Sequence, residues 1–292
     1  MTTIKELKMK YSVETVTTSS QEEMLQFLKN HANYTLFLLG NFENYGTKLT
    51  EAPYSGNFKL IRSSGRVSGV FCLTRKGSLL IESNVEEPVF DIVLEACQQE
   101  SVALTGVVGR WGFCGYFWEY LKAKNVIQSE VFTSKEILYS VDLQKKEFLY
   151  QPNVRILTES DYDQWKPLRL DYLIEEGVPN DLTDKQLLDL FLEKVRKGII
   201  WGYFLENTLV SIADLNAKAL DLGQVGGVYT DPKFRQKGYS KAVITQLLQD
   251  AKEIHSIRKL IIFTGENNFP AQKLYKSLGV SQVGYFALLF GQ

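Results

Sequence analysis

The sequence predicts a mixed α/β chain of two domains, on three observations. Its 292 residues are about twice the ~150 of an average domain. Helical and strand patterns alternate within each half. Between the halves, the polar run Gln144-Lys145-Lys146-Glu147 and then Pro152 interrupt the apolar pattern. The boundary is placed there, giving domains 1–150 and 151–292.

In the first half, Ser19 or Ser20 is placed to cap a helix to about Asn33, with Met24, Leu25, Phe27 and Leu28 on its apolar face. Residues 34–42 are a strongly apolar stretch closing on Gly40 and Asn41. Residues 61–62 and 67–74 read as strands around the turn Ser63-Ser64-Gly65-Arg66. Residues 78–82 continue the β pattern. Pro88 opens a helix to about Glu100, residues 102–108 read as a buried strand, 111–124 as a helix and 137–143 as a strand. The segment 11–18 pairs either within this domain or with a second copy of the chain.

In the second half, residues 154–157 start a fresh strand and 158–161 resemble a helix start. A helix at 184–197 turns Leu187, Leu188, Phe191, Leu192 and Val195 inward. Strands follow at 199–205, 209–215 and 222–230, the first two joined by the turn Glu206-Asn207-Thr208.

Charge and composition exclude several classes. A formal net charge of -1 gives no basic footprint for nucleic acid. No run approaches the ~20 apolar residues of a membrane helix, and the N-terminus lacks a signal-peptide pattern. Cys72, Cys97 and Cys114 are odd in number and widely spaced, which predicts reduced thiols, no metal clip and a cytoplasmic protein. His31 and His255 are the chain's histidines, too few and too isolated for a nucleophile–base system or a metal site.

The informative stretch begins where Asp231-Pro232 stops the strand ending at Thr230. The loop Lys233-Phe234-Arg235-Gln236-Lys237-Gly238 then enters a helix starting near Ser240, whose Val243, Ile244, Leu247, Leu248, Ala251 and Ile254 share one face. Unpaired amides and a positive dipole end favour an anion at such a helix start. Gly238 allows close approach or positive φ. Arg235 and Lys237 add charge and Ser240 leaves room, so a diphosphate suits the site. A second stretch follows the strand 259–263. Asn268 precedes a short helix with Pro270 in its first turn and Gly279 at its stop, and Ala271, Leu274, Tyr275 and Leu278 share a face.

Together these stretches resemble the GNAT superfamily of acetyl-CoA-dependent N-acetyltransferases. Arg235 to Ser240 resemble its [Q/R]-x-x-G-x-[G/A] motif. Asn268, Ala271, Leu274, Tyr275 and Gly279 fit N-x-x-A-x-x-L-Y-x-x-x-G, in the right order and on the right elements. The resemblance covers residues 153–292. The whole chain, with Leu38-Leu39-Gly40-Asn41, looks like two-domain GNAT proteins and is similar to the glycine N-acyltransferase group.

The resemblance implies tandem GNAT-like domains, each a mixed, mostly antiparallel sheet flanked by helices, the first degenerate and shaping the acceptor pocket. It implies acetyl-CoA as co-substrate, no metal, and a monomer or homodimer. It further implies that acetyl passes to a primary amine of a small-molecule or amino-acid-like acceptor by direct attack in a ternary complex. Val228, Tyr229 and Thr230 would hold the pantetheine arm through their backbone. Arg235, Gln236, Lys237, Gly238, Tyr239, Ser240, Lys241 and Asn268 complete the cofactor site, and Tyr275 matches the family's general acid. Histone-acetylating members carry a glutamate where this strand has Gln224, which strand parity places on the side of Val228 and Thr230. An amide takes no proton, so Asp214 on the preceding strand is a candidate base, against the plainer reading of an exposed strand-edge charge. Ser240 departs from the motif's small residue. Two other readings stand beside acetyl transfer: a non-catalytic CoA-binding or sensing module, and an N-acyltransferase using longer acyl-CoA donors. Gly109-Arg110-Trp111-Gly112-Phe113-Cys114-Gly115 is glycine-rich before a helix, but its aromatics would crowd a diphosphate. Trp111 and Trp118 read as core aromatics.

Overall fold

Residues 10–85, 89–178 and 182–292 are described by the computed structural model. They divide into two compact units. The first holds the chain to Leu138 with Thr264–Asn267 and Val283–Gln292; the second holds Tyr139–Phe263 and Asn268–Gln282. The sequence places the boundary near residue 150 and keeps everything beyond it together. Residues 283–292 lie in the first unit, where residues 286–290 find their register partners.

In the first unit, β1 (Tyr11–Thr15) pairs antiparallel with β2 (Gly56–Ser63), so the question left open for residues 11–18 resolves within the unit. A hairpin joins β2 to β3 (Arg66–Thr74) through Ser64 and Gly65, at φ +48° and +80°. Successive positive φ values suit the strand twist, and Gly65 takes one without strain. β4 (Ser78–Ser83) pairs antiparallel with β3 and parallel with β5 (Gly106–Arg110). Parallel neighbours need a crossover, supplied by α3 (Phe90–Gln98). Its expected opening at Pro88 lies outside the described residues.

The helix expected after Ser19 or Ser20 is α1 (Gln21–Asn30), burying Met24, Phe27 and Leu28. Ser20 stands at its N-cap position, but its hydroxyl accepts from the Thr17 amide at 3.0 Å and makes no cap bond to the helix. The apolar stretch at 34–42 forms α2 (Leu36–Tyr45). After β5 come α4 (Trp111–Ala123) and β6 (Glu130–Asp142). β6 begins seven residues before the expected 137, because Glu130–Glu136 are largely polar and leave no apolar signal. β12 (Ser281–Gly291) pairs antiparallel with β5, Phe286 opposite Arg110 and Phe290 opposite Gly106. Sheet order in this unit is β1-β2-β3-β4-β5-β12-β6. Phe71, Val93, Val107, Phe117, Trp118 and Ala287 are among its core residues.

In the second unit, β7 (Val154–Ile156), β8 (Ile200–Leu205), β9 (Thr208–Ala219) and β10 (Leu222–Thr230) pair antiparallel in turn, and β11 (Lys259–Gly265) pairs parallel with β10. The order is β6-β11-β10-β9-β8-β7. α5 (Tyr162–Glu175) follows a capping box between Thr158 and Asp161. α6 (Asp184–Arg196) opens with another, between Thr183 and Gln186. The buried stripe of α6 is Leu187, Phe191 and Lys194, so a lysine takes a place on the inward face where Leu188, Leu192 and Val195 are half-buried.

α7 (Tyr239–Glu253) buries Val243, Ile244, Leu247, Leu248 and Ala251 as expected. Ile254 is exposed instead, because the helix stops before it. α8 (Phe269–Ser277) buries Tyr275. Trp165, Leu168, Phe191, Ile200, Ile212 and Tyr229 pack together as a core cluster. Among the described residues no helix is long and apolar enough to cross a membrane.

Candidate active site

The site is built where β10 leaves β11 and bulges against β9. Its parallel register with β11 runs from Leu222 opposite Lys259 to Val225 opposite Ile262. β10 continues to Thr230 beyond that register. Against β9 the register slips between Gly226, opposite Asp214, and Tyr229, opposite Ile212. Two residues of β10, Gly227 and Val228, therefore face one of β9. Gly227 sits at φ +57°, the backbone such a bulge needs and glycine supplies.

The bulge corrects the parity expectation. Directly opposed residues share a face. Gln224 and Gly226 lie on the Asp214 side, and beyond the bulge Tyr229 takes that side opposite Ile212. Thr230 faces the other way opposite Ser211, its hydroxyl 2.7 Å from the Ser211 hydroxyl. Gln224 is buried, and its amide oxygen accepts from Asn216 Nδ2 at 3.2 Å.

After Thr230 the chain turns through a short 3₁₀ segment, Pro232–Phe234, capped by the Asp231 side chain on the Lys233 amide at 2.9 Å. Gln236 and Gly238 both have positive φ, +63° and +83°. Gly238 is the N-cap of α7, and a Cβ there meets nothing within 4 Å, so the space above it is open. The first helical bond runs from the Ala242 amide to the Gly238 oxygen at 3.0 Å. The amides of Tyr239, Ser240 and Lys241 precede that ladder, at the positive end of the helix dipole. Residues 235–238 are exposed, as is Lys241, and Ser240 is half-buried. Tyr239 stacks on Tyr203 with centroids 4.4 Å apart, fixing the first turn against β8.

The predicted residues divide by what their side chains do. Lys237 and Lys241 stand at the cradle, with Lys237 Nζ 5.7 Å from the Phe234 ring centre. Arg235 is engaged in the protein: it donates to the Thr230 oxygen at 2.9 Å and pairs with Glu175 at 2.5 Å. Those bonds to Glu175 raise its pKa further. Tyr229 is a core side chain under the Arg235 guanidinium, and its phenol is pushed up by burial. Asn268 accepts from the Ala271 amide at 3.2 Å as the cap of α8. Tyr275, on that helix, is buried with its ring 5.8 Å from Tyr139.

Asp214 is neither an exposed strand-edge charge nor an open base. It is buried and its Oδ2 lies 2.6 Å from Lys194 Nζ. Sequence reading placed Lys194 nowhere in the site; its one signal was a lysine three residues after Phe191 on an apolar stripe. His31 and His255 contact backbone oxygens, Phe27 at 2.8 Å and Gly198 at 2.9 Å. Among the described residues no group of His, Cys, Asp and Glu could hold a metal.

Residues 155–280 match the family described as "Acetyltransferase (GNAT) family". No curated protein sequence matches the chain significantly. A GNAT-family acetyltransferase from Colwellia psychrerythraea is 15% identical, with a TM-score of 0.53 over 96% of this chain and 100% of that one. A Drosophila protein is 13% identical, with a TM-score of 0.64 over 95% and 98%. A GCN5-related N-acetyltransferase from Sphaerobacter thermophilus is 10% identical, with a TM-score of 0.52 over 96% and 94%. At such identities the likeness is one of fold, and it spans nearly the whole chain. Over residues 155–280, the chain carries a GNAT acetyltransferase domain.

Proposed function

We propose that the second unit binds acetyl-CoA and that the chain transfers its acetyl group to a primary amine of a small-molecule or amino-acid-like acceptor, by direct attack in a ternary complex. One observation carries this reading: β10 parts from β11 after Val225 and leads into a helix start whose amides precede the ladder. The opening suits a thin acyl arm, and the helix start suits a diphosphate.

The residues present fit that ligand. Val228, Tyr229 and Thr230 offer backbone groups along the opening. Gln236, Lys237, Gly238, Tyr239, Ser240 and Lys241 offer amides and charge, and Arg235 holds the loop's shape. Asn268 contributes by capping α8, which carries Tyr275. When bound, acetyl-CoA supplies an acetyl thioester and a thiolate leaving group. Backbone amides at the bulge are suited to a developing oxyanion, and the Tyr275 phenol to protonating the thiolate. An ordinary phenol titrates near ~10 and so carries its proton at neutral pH.

Gln224 favours a second reading, a non-catalytic CoA-binding module, because its buried amide accepts no proton. The test is calorimetry of acetyl-CoA with wild type and Gly238→Trp, beside thiol release across a panel of primary amines and acetyl-, propionyl- and benzoyl-CoA. Nothing stands within 4 Å of a Cβ at Gly238, so the indole has room over the cradle. Because the φ of +83° there strains any residue but glycine, thermal unfolding of the variant is measured beside the calorimetry. All three protein cysteines are buried, with Cys97 pushed up to about 12 by burial, so released thiol is read without interference. Binding lost in the variant, with amine-dependent release by wild type, is the expected result. Binding without release from any amine would favour the sensing module.

A further inference from the structure

The inward face of α5 carries a charge where its pattern asks for an apolar residue. Positions 165, 168, 169, 172 and 173 recur at the spacing of a single helical stripe. Trp165, Leu168 and Leu173 are buried there, and Tyr172 packs against the core cluster that holds Trp165 and Leu168. Arg169 stands among them. It is half-buried, and its Nε is buried with no hydrogen-bond partner among the described residues. Its terminal nitrogens have no such partner either, yet they keep access to solvent. The guanidinium lies 5.2 Å from the Tyr172 ring centre.

Other cations around this helix are answered within the protein. Lys166 pairs with Asp184 at 2.9 Å, Arg155 with Asp161 at 2.7 Å and Arg235 with Glu175 at 2.5 Å. Arg169 has no ion-pair partner among the described residues. Packing accounts for its stem and leaves the fork idle, at a cost in lost hydration that nothing in the protein offsets. Its place gives that fork a use. α5 packs on β9 and β10, where Trp165 and Leu168 cluster with Ile212 and Tyr229. Tyr229 directly follows the bulge at Gly227 and Val228, along which the acyl arm is proposed to lie. The phosphate cradle is served already, by the exposed Lys237 and Lys241, and α5 reaches that loop through Glu175. Arg169 precedes Glu175 by six residues, about 9 Å back along the helix axis.

We infer that Arg169 binds a carboxylate of the acceptor through its terminal nitrogens, so that the substrate is an amino acid or another amine carrying a carboxylate. This rests on the acetyl-transfer reading above and narrows it. Two N–H groups at the outer edge of a planar guanidinium match the two oxygens of a carboxylate, whereas an ammonium offers only a point charge. Anchored on α5, the acceptor holds its anion at the helix and turns its amine toward β10 and the thioester. A plain amine has no group for that anchor.

The test compares matched acceptors with the full chain: glycine against methylamine, alanine against ethylamine, and phenylalanine against 2-phenylethylamine. Thiol release is followed for wild type, Arg169→Gln and Arg169→Lys, beside thermal unfolding and acetyl-CoA calorimetry of each. Wild type is expected to favour the carboxylated member of a pair by about 30-fold in kcat/KM, mostly through KM, as hydrogen bonds to a charged group allow. In Arg169→Gln that ratio should fall to within about threefold of one, and Arg169→Lys should keep only part of it. Acetyl-CoA affinity should stay within about twofold of wild type in both. Wild type that uses the plain amines equally well would overturn the inference without appeal to any variant. A preference that survives in Arg169→Gln would also overturn it. So would a variant that unfolds early or loses acetyl-CoA affinity, which would assign the guanidinium to the core or to the cofactor. Wild type that binds acetyl-CoA but releases thiol with neither kind of amine would overturn the acetyl-transfer reading as well, whereas equal use of both kinds overturns this inference alone.

Discussion

Arg235 donates through Nε to the backbone oxygen of Thr230 at 2.9 Å, tying the start of the loop to the end of the strand before it. Its Nη2 meets Glu175, the last residue of α5, at 2.5 Å. The guanidinium also lies over the Tyr229 ring, 5.2 Å from its centre. A charge that the motif suggests would face a phosphate is instead bound to strand, helix and core. Its effect on a ligand therefore runs through the shape of the loop.

That arrangement separates shape from charge. Arg235→Ala is expected to weaken acetyl-CoA binding about tenfold, or about 1.4 kcal/mol. Arg235→Lys should be nearly as weak, because an ammonium cannot span the Thr230 oxygen and Glu175 in the guanidinium's planar geometry. Glu175→Gln should cost less, since exposed ion pairs are worth ~0–1 kcal/mol. Calorimetry of the three variants decides: a Lys variant that binds like wild type would show that charge alone matters.

Tyr275 sits at the opposite extreme of exposure. At 4% exposed on α8, with its ring 5.8 Å from Tyr139, it has most of its surface in packing. Removing the hydroxyl leaves that packing in place. Tyr275→Phe is expected to keep acetyl-CoA affinity and to lower kcat by about 100-fold in the thiol-release assay. An unchanged kcat would make the phenol a core residue and leave thiolate protonation to water.

What could be read in advance follows the range of the interactions involved. The turn at Ser64 and Gly65, the Asn268 cap and the Gly238 start of α7 rest on residues within a few positions, so their sequence patterns are sufficient. The pairing of Phe286–Phe290 with β5 joins positions about 180 apart in the chain, and an apolar strand pattern does not name its partner. The side that Thr230 faces depends on an extra residue at Gly227 and Val228, which strict alternation overlooks. Glu175 reaches Arg235 across 60 positions and Lys194 reaches Asp214 across 20. Neither pair exists until the sheet and its helices are assembled, and each alters the part its site residue plays.

α5 is anchored at both ends, and its beginning is sensitive to pH. The Arg155 guanidinium lies 2.7 and 2.8 Å from the Asp161 carboxylate, and the Thr158 amide and hydroxyl lie 2.7 and 2.9 Å from its Oδ2. Arg155 first, then Thr158, holds this carboxyl down at about 2, from an ordinary 3.8. A folded-state pKa below the unfolded one means stability that is fully present above 3.8 and lost as pH falls through about 2. Asp161→Asn is therefore expected to be less stable at neutral pH by about 1–3 kcal/mol, the worth of hydrogen bonds to a charged group. The gap from wild type should hold to about pH 4 and close toward pH 2, where the wild-type carboxyl is itself protonated. Urea unfolding of both proteins across that window reads it directly. A gap constant down to pH 2 would assign the loss to the shape of the cap and remove the charge from the account. Because Glu175 at the far end of α5 holds Arg235, acetyl-CoA binding by Asp161→Asn should also weaken at neutral pH, by less than in Arg235→Ala.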